Sequence, residues 1–167
     1  MVEFRNPLKQ EVMRSRSPMT QPLIIRTTAD NGIGWIGTFE GWDEWGMRAV
    51  FACPDPEMLL VIAGAVGYLL DVGAPKAYVG LPVLPIRNVE RAQGADILVG
   101  ADYTRLFAVD RKGLRWVSER LCLDLLQIVA ANQDEVSATG IFAASGPEQP
   151  FAVDMNTGRM RTGPVHR

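Results

Sequence analysis

Short stretches of β-branched, aromatic and aliphatic residues recur along this chain between clusters of Gly, Pro, Asp and Asn. That punctuation is the mark of strands joined by tight turns. Branched and aromatic side chains fit a pleated surface, and the intervening residues let the backbone reverse. The pattern predicts strands over 23–28, 34–39, 47–52, 58–63, 68–72, 83–89, 97–100, 105–109, 114–118, 125–131, 136–143 and 151–154, which leaves little room for helix. In 118–132, Leu121, Leu125, Ile128 and Val129 have nearly helical spacing. Its second half is short and apolar and runs into Asn132-Gln133-Asp134, so a strand is expected there. Residues 1–22 are polar, broken by Pro and without period, which predicts a disordered tail ahead of a single β domain over 23–167. Met19, just before the first strand, is an alternative start.

The strands repeat. Leu59 to Ala63 followed by Tyr68 to Asp71 matches Ile97 to Ala101 followed by Leu106 to Asp110, at a period of about 38 residues. The tetrapeptide Phe-Ala-Val-Asp occupies Phe107 to Asp110 and returns at Phe151 to Asp154, each time ahead of a turn ending in Gly, at Gly113 and Gly158. An Asp at a strand end can accept hydrogen bonds from the turn backbone, and Gly supplies the positive φ that a reversal needs.

The run Leu106-Phe107-Ala108-Val109-Asp110-Arg111-Lys112-Gly113-Leu114-Arg115-Trp116 resembles one blade hairpin of the β-propeller families. The wider arrangement, Cys-Pro-Asp-Pro from Cys53, the hairpin ending at Asp71, and Thr104 to Asp110, resembles small uncharacterised bacterial β-repeat proteins. A closed propeller needs at least four blades of about 40 residues, more than the chain holds after its tail. The expected fold class is therefore all-β: antiparallel sheets built from propeller-blade-like hairpins, as a curved sheet stack or β-sandwich and not a full propeller.

Composition narrows the function. The chain has 167 residues, 47% of them hydrophobic, enough for a core without metal or disulfide staples. A net charge of −2 provides no basic field, which argues against nucleic-acid partners. Arg5, Lys9, Arg14 and Arg16 outnumber Glu3 and Glu11 in the tail, so the remainder is mildly acidic. Cys53 and Cys122 are isolated, which fits reduced thiols and a cytoplasmic location. The N-terminus does not read as a secretion signal. The longest apolar run, 58–70, contains Gly64 and Gly67 and falls short of the roughly 20 residues of a membrane span, so no membrane partner is expected.

Little catalytic chemistry is visible. Gly32-Ile33-Gly34-Trp35-Ile36-Gly37 fits G-x-G-x-x-G, but the β-prone residues after it contradict the helix that a dinucleotide loop requires, and a glycine-marked hairpin is the better reading. The single histidine, His166, is next to last. With two isolated cysteines it assembles neither a nucleophilic triad nor a zinc site, so no catalytic residue, metal or cofactor is assigned. Carboxylate pairs remain open: Glu40, Asp43 and Glu44, or Asp102 with Asp110, the turn-holding role being favoured for Asp102, Asp110 and Asp154.

The segment from Trp35 to Met47 carries three of the four tryptophans, and Gly41 and Gly46 interrupt it. Trp42, Trp45 and Phe39 interleaved with Glu40, Asp43 and Glu44 make a candidate partner-binding surface, since rigid aromatics beside charges are the composition of protein-binding hot spots. The competing reading packs Trp35 and Phe39 in the core with Trp42 anchoring a loop. Tyr68, Tyr103 and Arg105 rank below this segment as groove-lining residues, and Trp116 reads as core. The expected function is a non-catalytic protein-interaction module, in one form an immunity or inhibitor protein bound to a toxin. The alternatives are a small-molecule or carbohydrate-binding β domain and a carboxylate-dependent hydrolase. A homo-oligomer in which a second copy completes the sheets is compatible with the same residues.

Overall fold

A computed structural model of the chain describes residues 2–4, 22–28, 34–42 and 46–164, and among these there is no helix. The fold is all-β, with four sheets among the described residues, none closed into a barrel. The chain divides into two compact units, Met1–Ala52 with Pro56–Pro85, and Cys53–Asp55 with Ile86–Arg167.

In the first unit, β2 (Leu23–Thr28) and β3 (Gly34–Phe39) form an antiparallel hairpin, and β1 (Val2–Phe4) joins β3 in parallel. β1 falls within the stretch expected to be a tail; residues 5–21 of that stretch lie outside the described residues. The second sheet is a meander of β4 (Ala49–Ala52), β5 (Met58–Ala63), β6 (Val66–Asp71) and β7 (Tyr78–Gly80). Phe39, Val61, Ala63, Val66, Tyr68 and Leu70 form the core between these two sheets, with Leu23, Ile25 and Trp35 packed against it.

The second unit repeats the meander twice. The third sheet runs β8 (Asn88–Arg91), β9 (Leu98–Ala101), β10 (Leu106–Asp110) and β11 (Gly113–Val117). The fourth runs β12 (Asp124–Ala131), β13 (Glu135–Ile141), β14 (Glu148–Asp154) and β15 (Met160–Thr162). Val99, Ala101, Leu106 and Ala108 of the third sheet meet Ile128, Val136, Phe151 and Val153 of the fourth in one core. β13 shows the expected alternation, every second residue being buried. The near-helical spacing in 118–132 resolves as β12, an edge strand with two register shifts.

The sequence repeat is a repeat of place. β6, β10 and β14 are each the third strand of a four-stranded meander, and each ends in Asp. The Asp71 carboxylate accepts from the Gly73 and Ala74 amides at 2.7 and 3.1 Å. Asp110 accepts from the Lys112 amide at 2.8 Å, and Asp154 from those of Asn156 and Thr157, both at 2.9 Å. Each carboxylate thus supplies the acceptor that a reversing backbone lacks. A second contact also recurs. Trp35 on β3 donates its indole N–H to the Val72 carbonyl at 2.9 Å, and Trp116 on β11 donates to the Met155 carbonyl at 2.8 Å. In both cases the acceptor directly follows the terminal Asp of the next sheet's third strand.

One expected strand is corrected. Residues 81–87 are irregular, and the ladder begins at Asn88, because Pro82 and Pro85 have no N–H to contribute to a sheet.

Candidate interaction surface

The connection between β3 and β4 leaves the core at Phe39 and turns back at Ala49. Phe39 is fully buried, its ring edge-on to Tyr68 with centroids 5.4 Å apart. It therefore belongs to the core and not to a partner-binding surface, a correction that follows from the alternation of β3, which turns Gly37 and Phe39 inward. Glu40 is half-buried, and its carbonyl accepts the Tyr68 hydroxyl at 2.6 Å. Burial and the neighbouring Glu40 push the Tyr68 phenol well above its ordinary range. Tyr68 is wholly buried and so lines no groove.

Beyond Glu40 the backbone is held against the β5–β6 turn. Ala63 pairs with Val66, so Gly64 and Ala65 alone make that turn, with φ of 49° and 70°. Two positive φ values in a two-residue loop define a type I′ turn, whose twist matches that of the flanking strands. The Trp42 amide donates to the Gly64 carbonyl at 3.0 Å, and the Ala65 amide donates to the Met47 carbonyl at 3.0 Å. Both glycines in this connection are required by the closeness of the approach. A Cβ on Gly41 would lie 3.0 Å from the Ala63 carbonyl oxygen, and one on Gly46 would lie 2.7 Å from the Gly64 carbonyl carbon.

Trp42, its amide fastened to that turn, is 36% exposed. An aromatic side chain whose own backbone position is already held loses little entropy on binding. Asp43, Glu44 and Trp45, the other members of the expected surface, lie outside the described residues.

The remaining candidates separate. Asp102 accepts from the Thr104 and Arg105 amides, both at 2.6 Å, so it holds a turn, as Asp110 does. The two stand at opposite ends of β10, about 17 Å apart for a five-residue strand, too far to act as an acid–base pair. Of the glycine motif, Gly34 to Gly37 lie in β3, as strand residues rather than the start of a helix, and Gly32 and Ile33 lie outside the described residues. A Cβ on Gly34 would stand 2.2 Å from the Thr27 carbonyl oxygen. His166 lies outside the described residues. Tyr103 is 37% exposed, and Arg87 donates to its hydroxyl at 2.7 Å and lies over its ring at 4.8 Å.

Both thiols are buried, and desolvation raises each from 9.0 to about 11. A thiol held protonated at neutral pH is a poor nucleophile. Neither should react promptly with a disulfide reagent at pH 7.5, and both should react once denaturant is added; prompt titration of the native chain would contradict their burial. Because the folded state holds the proton more tightly, this contribution to stability is complete below pH 9 and is lost as pH rises from 9 through about 11. Among the described residues no three His, Cys, Asp or Glu side chains converge in a metal-binding arrangement. Nor is any helix among them long and apolar enough to cross a membrane.

Comparison with known proteins returned no matching protein family, no matching curated protein and no matching solved structure.

Proposed function

We propose that this chain is a non-catalytic protein-interaction module, and that the connection between β3 and β4, with Trp42 at its exposed point, is the contact surface. The observation that carries the reading is the pair of hydrogen bonds that hold Trp42 and Met47 to the Gly64–Ala65 turn, so that a large, partly exposed aromatic ring stands on a fastened backbone position. Tryptophan is the residue type most enriched at binding hot spots because one ring buries much area at little conformational cost. Glu40, Asp43 and Glu44 around it favour a partner with basic groups. An immunity or inhibitor protein bound to a toxin is the concrete form this reading takes.

The test is Trp42→Ala. Truncating a hot-spot aromatic costs at least about 2 kcal/mol, or roughly thirtyfold in affinity. Affinity of the folded variant for the partner, measured by calorimetry well below its melting temperature, should fall by that factor. Equal affinity of the variant sinks the reading. A rise in melting temperature with sugars that disappears in the variant would reassign the ring to carbohydrate stacking.

A further inference from the structure

The middle strands of the third and fourth sheets correspond. Phe-Ala-Val-Asp begins at Phe107 in β10 and at Phe151 in β14, and the ladders agree. Ala108 lies opposite Val99 and Leu106 opposite Ala101, as Ala152 lies opposite Ser137 and Pro150 opposite Thr139. In the third sheet, Val99, Ala101, Leu106 and Ala108 share one face and are 0% exposed, because the fourth sheet packs on them. In the fourth sheet, Phe151 and Val153 face that contact, so Ser137, Thr139, Pro150 and Ala152 turn the opposite way. These four are half-buried or exposed. A face that receives a sheet in one repeat is open to solvent in the next.

The contact between the third and fourth sheets indicates what such a face accepts. Two of the four receiving residues are alanine, and the incoming sheet brings the larger Ile128, Val136, Phe151 and Val153. The open face is small and uncharged across its middle, with Gln127 opposite Thr139, and Val129, 64% exposed, set out by the register shift after Ile128. Its carboxylates stand at the two ends. Glu135 accepts from the Ser137 hydroxyl at 3.4 Å and Glu148 from the Thr139 hydroxyl at 3.2 Å, while Arg161 is already engaged by Asp154. Such a face suits a sheet that presents large aliphatic side chains and a cation. β2 and β3 present both. One side of their hairpin packs against the second sheet, and the other displays Ile24, 63% exposed, and Ile36, 40% exposed and directly opposite Arg26, the charged residue of the pair.

We propose that the outer face of the fourth sheet binds the outer face of the β2–β3 hairpin of a second copy of this chain. Ile24 and Ile36 cover the small, uncharged centre, and Arg26 is directed to a carboxylate at one end. The contact is heterologous, since two different faces meet. Each face measures roughly 20 by 15 Å from the rise and spacing of its strands, so one contact buries on the order of 600 Å², below the standard interface size. Association is therefore weak and dependent on concentration. It uses neither Trp42 nor the connection between β3 and β4, and stands apart from the partner contact proposed there.

The experiment is sedimentation equilibrium on the full chain. For a dissociation constant of roughly 0.2 mM, the weight-average mass should rise with concentration to about 1.5 times the monomer's or more at roughly 500 μM. Ile24→Glu brings a carboxylate toward Glu135 and Glu148, and Val129→Arg brings a cation toward Arg26. Each variant alone should stay within about 10% of the monomer mass at that concentration, through like-charge repulsion. Both substitutions are at mostly exposed positions and should keep the parent's urea midpoint. Where a midpoint falls, Arg26→Glu and Ala130→Arg, at exposed positions on the same two faces, take their place. Mixed in equal amounts, the two variants should associate again, to about 1.3 times the monomer mass or more, because one keeps its fourth sheet intact and the other its first. A parent that is monomeric at this concentration, a single variant that associates like the parent, or a mixture that stays monomeric where the parent associates would each overturn the proposal.

Discussion

Gly100→Ala is expected to destabilise the second unit by about 3 kcal/mol or more, the upper range for forcing an extra carbon into a packed core. Gly100 lies directly opposite Phe107 across the β9–β10 ladder, and Phe107 is 0% exposed. A Cβ at this position would stand 2.2 Å from the Phe107 Cζ and 3.0 Å from the Asn88 carbonyl oxygen, so the ring on one side and backbone on the other both resist it. A surface ring would swing aside, but this one is enclosed. Combining Gly100→Ala with Phe107→Leu should recover part of the loss, because the smaller side chain vacates the collision, and a double-mutant cycle in urea reads that coupling directly. A Gly100→Ala variant within about 0.5 kcal/mol of the parent would show that the ring does not cover the glycine.

The same pair explains why so much of the fold is legible in the sequence. Phe107 and Phe151 open two copies of Phe-Ala-Val-Asp, and the structure places both in third strands whose terminal Asp holds the turn. Strand, turn and repeat are local properties, carried by residues a few positions apart, so period and turn chemistry are enough to reveal them. The indole contacts are not local. Trp35 and Trp116 reach carbonyls 37 and 39 residues away, about one repeat, and no spacing rule separates such a tryptophan from any other core aromatic. The short strands β7 and β15 escape for a related reason: three residues are too few to show alternation, and pairing alone defines them.

The candidate surface was legible only in part. Composition marked the stretch around Trp42, and Gly41 and Gly46 indicated a loop, but the purpose of those glycines became visible only against Gly64 and Ala65. Neither the pairing of Ala63 with Val66 nor the positive φ of Ala65 is encoded in a residue that demands it, since alanine seldom adopts that conformation. Phe39 shows the limit from the other side. Counted by composition it belongs with the tryptophans; strand alternation assigns it to the core, and that alternation depends on where β3 begins.

Phe39→Ala should therefore behave as the opposite of Trp42→Ala. Removing a fully buried phenylalanine costs about 3–5 kcal/mol through lost transfer energy and the cavity left behind. Phe39 contacts Tyr68 edge-on and shares a core with Val61, Val66 and Leu70, all 0–1% exposed, so the surroundings have little freedom to collapse into the space. The urea midpoint should fall by most of that amount. Any loss of partner binding should track the fraction unfolded: cooling or a stabilising osmolyte should restore binding in Phe39→Ala and leave it weak in Trp42→Ala. Binding that stays weak in fully folded Phe39→Ala would mean that the core under the loop sets the geometry of Trp42. Unchanged stability would remove Phe39 from the core altogether. The two substitutions, three positions apart in sequence, thus separate what the connection does for the fold from the partner contact proposed for it.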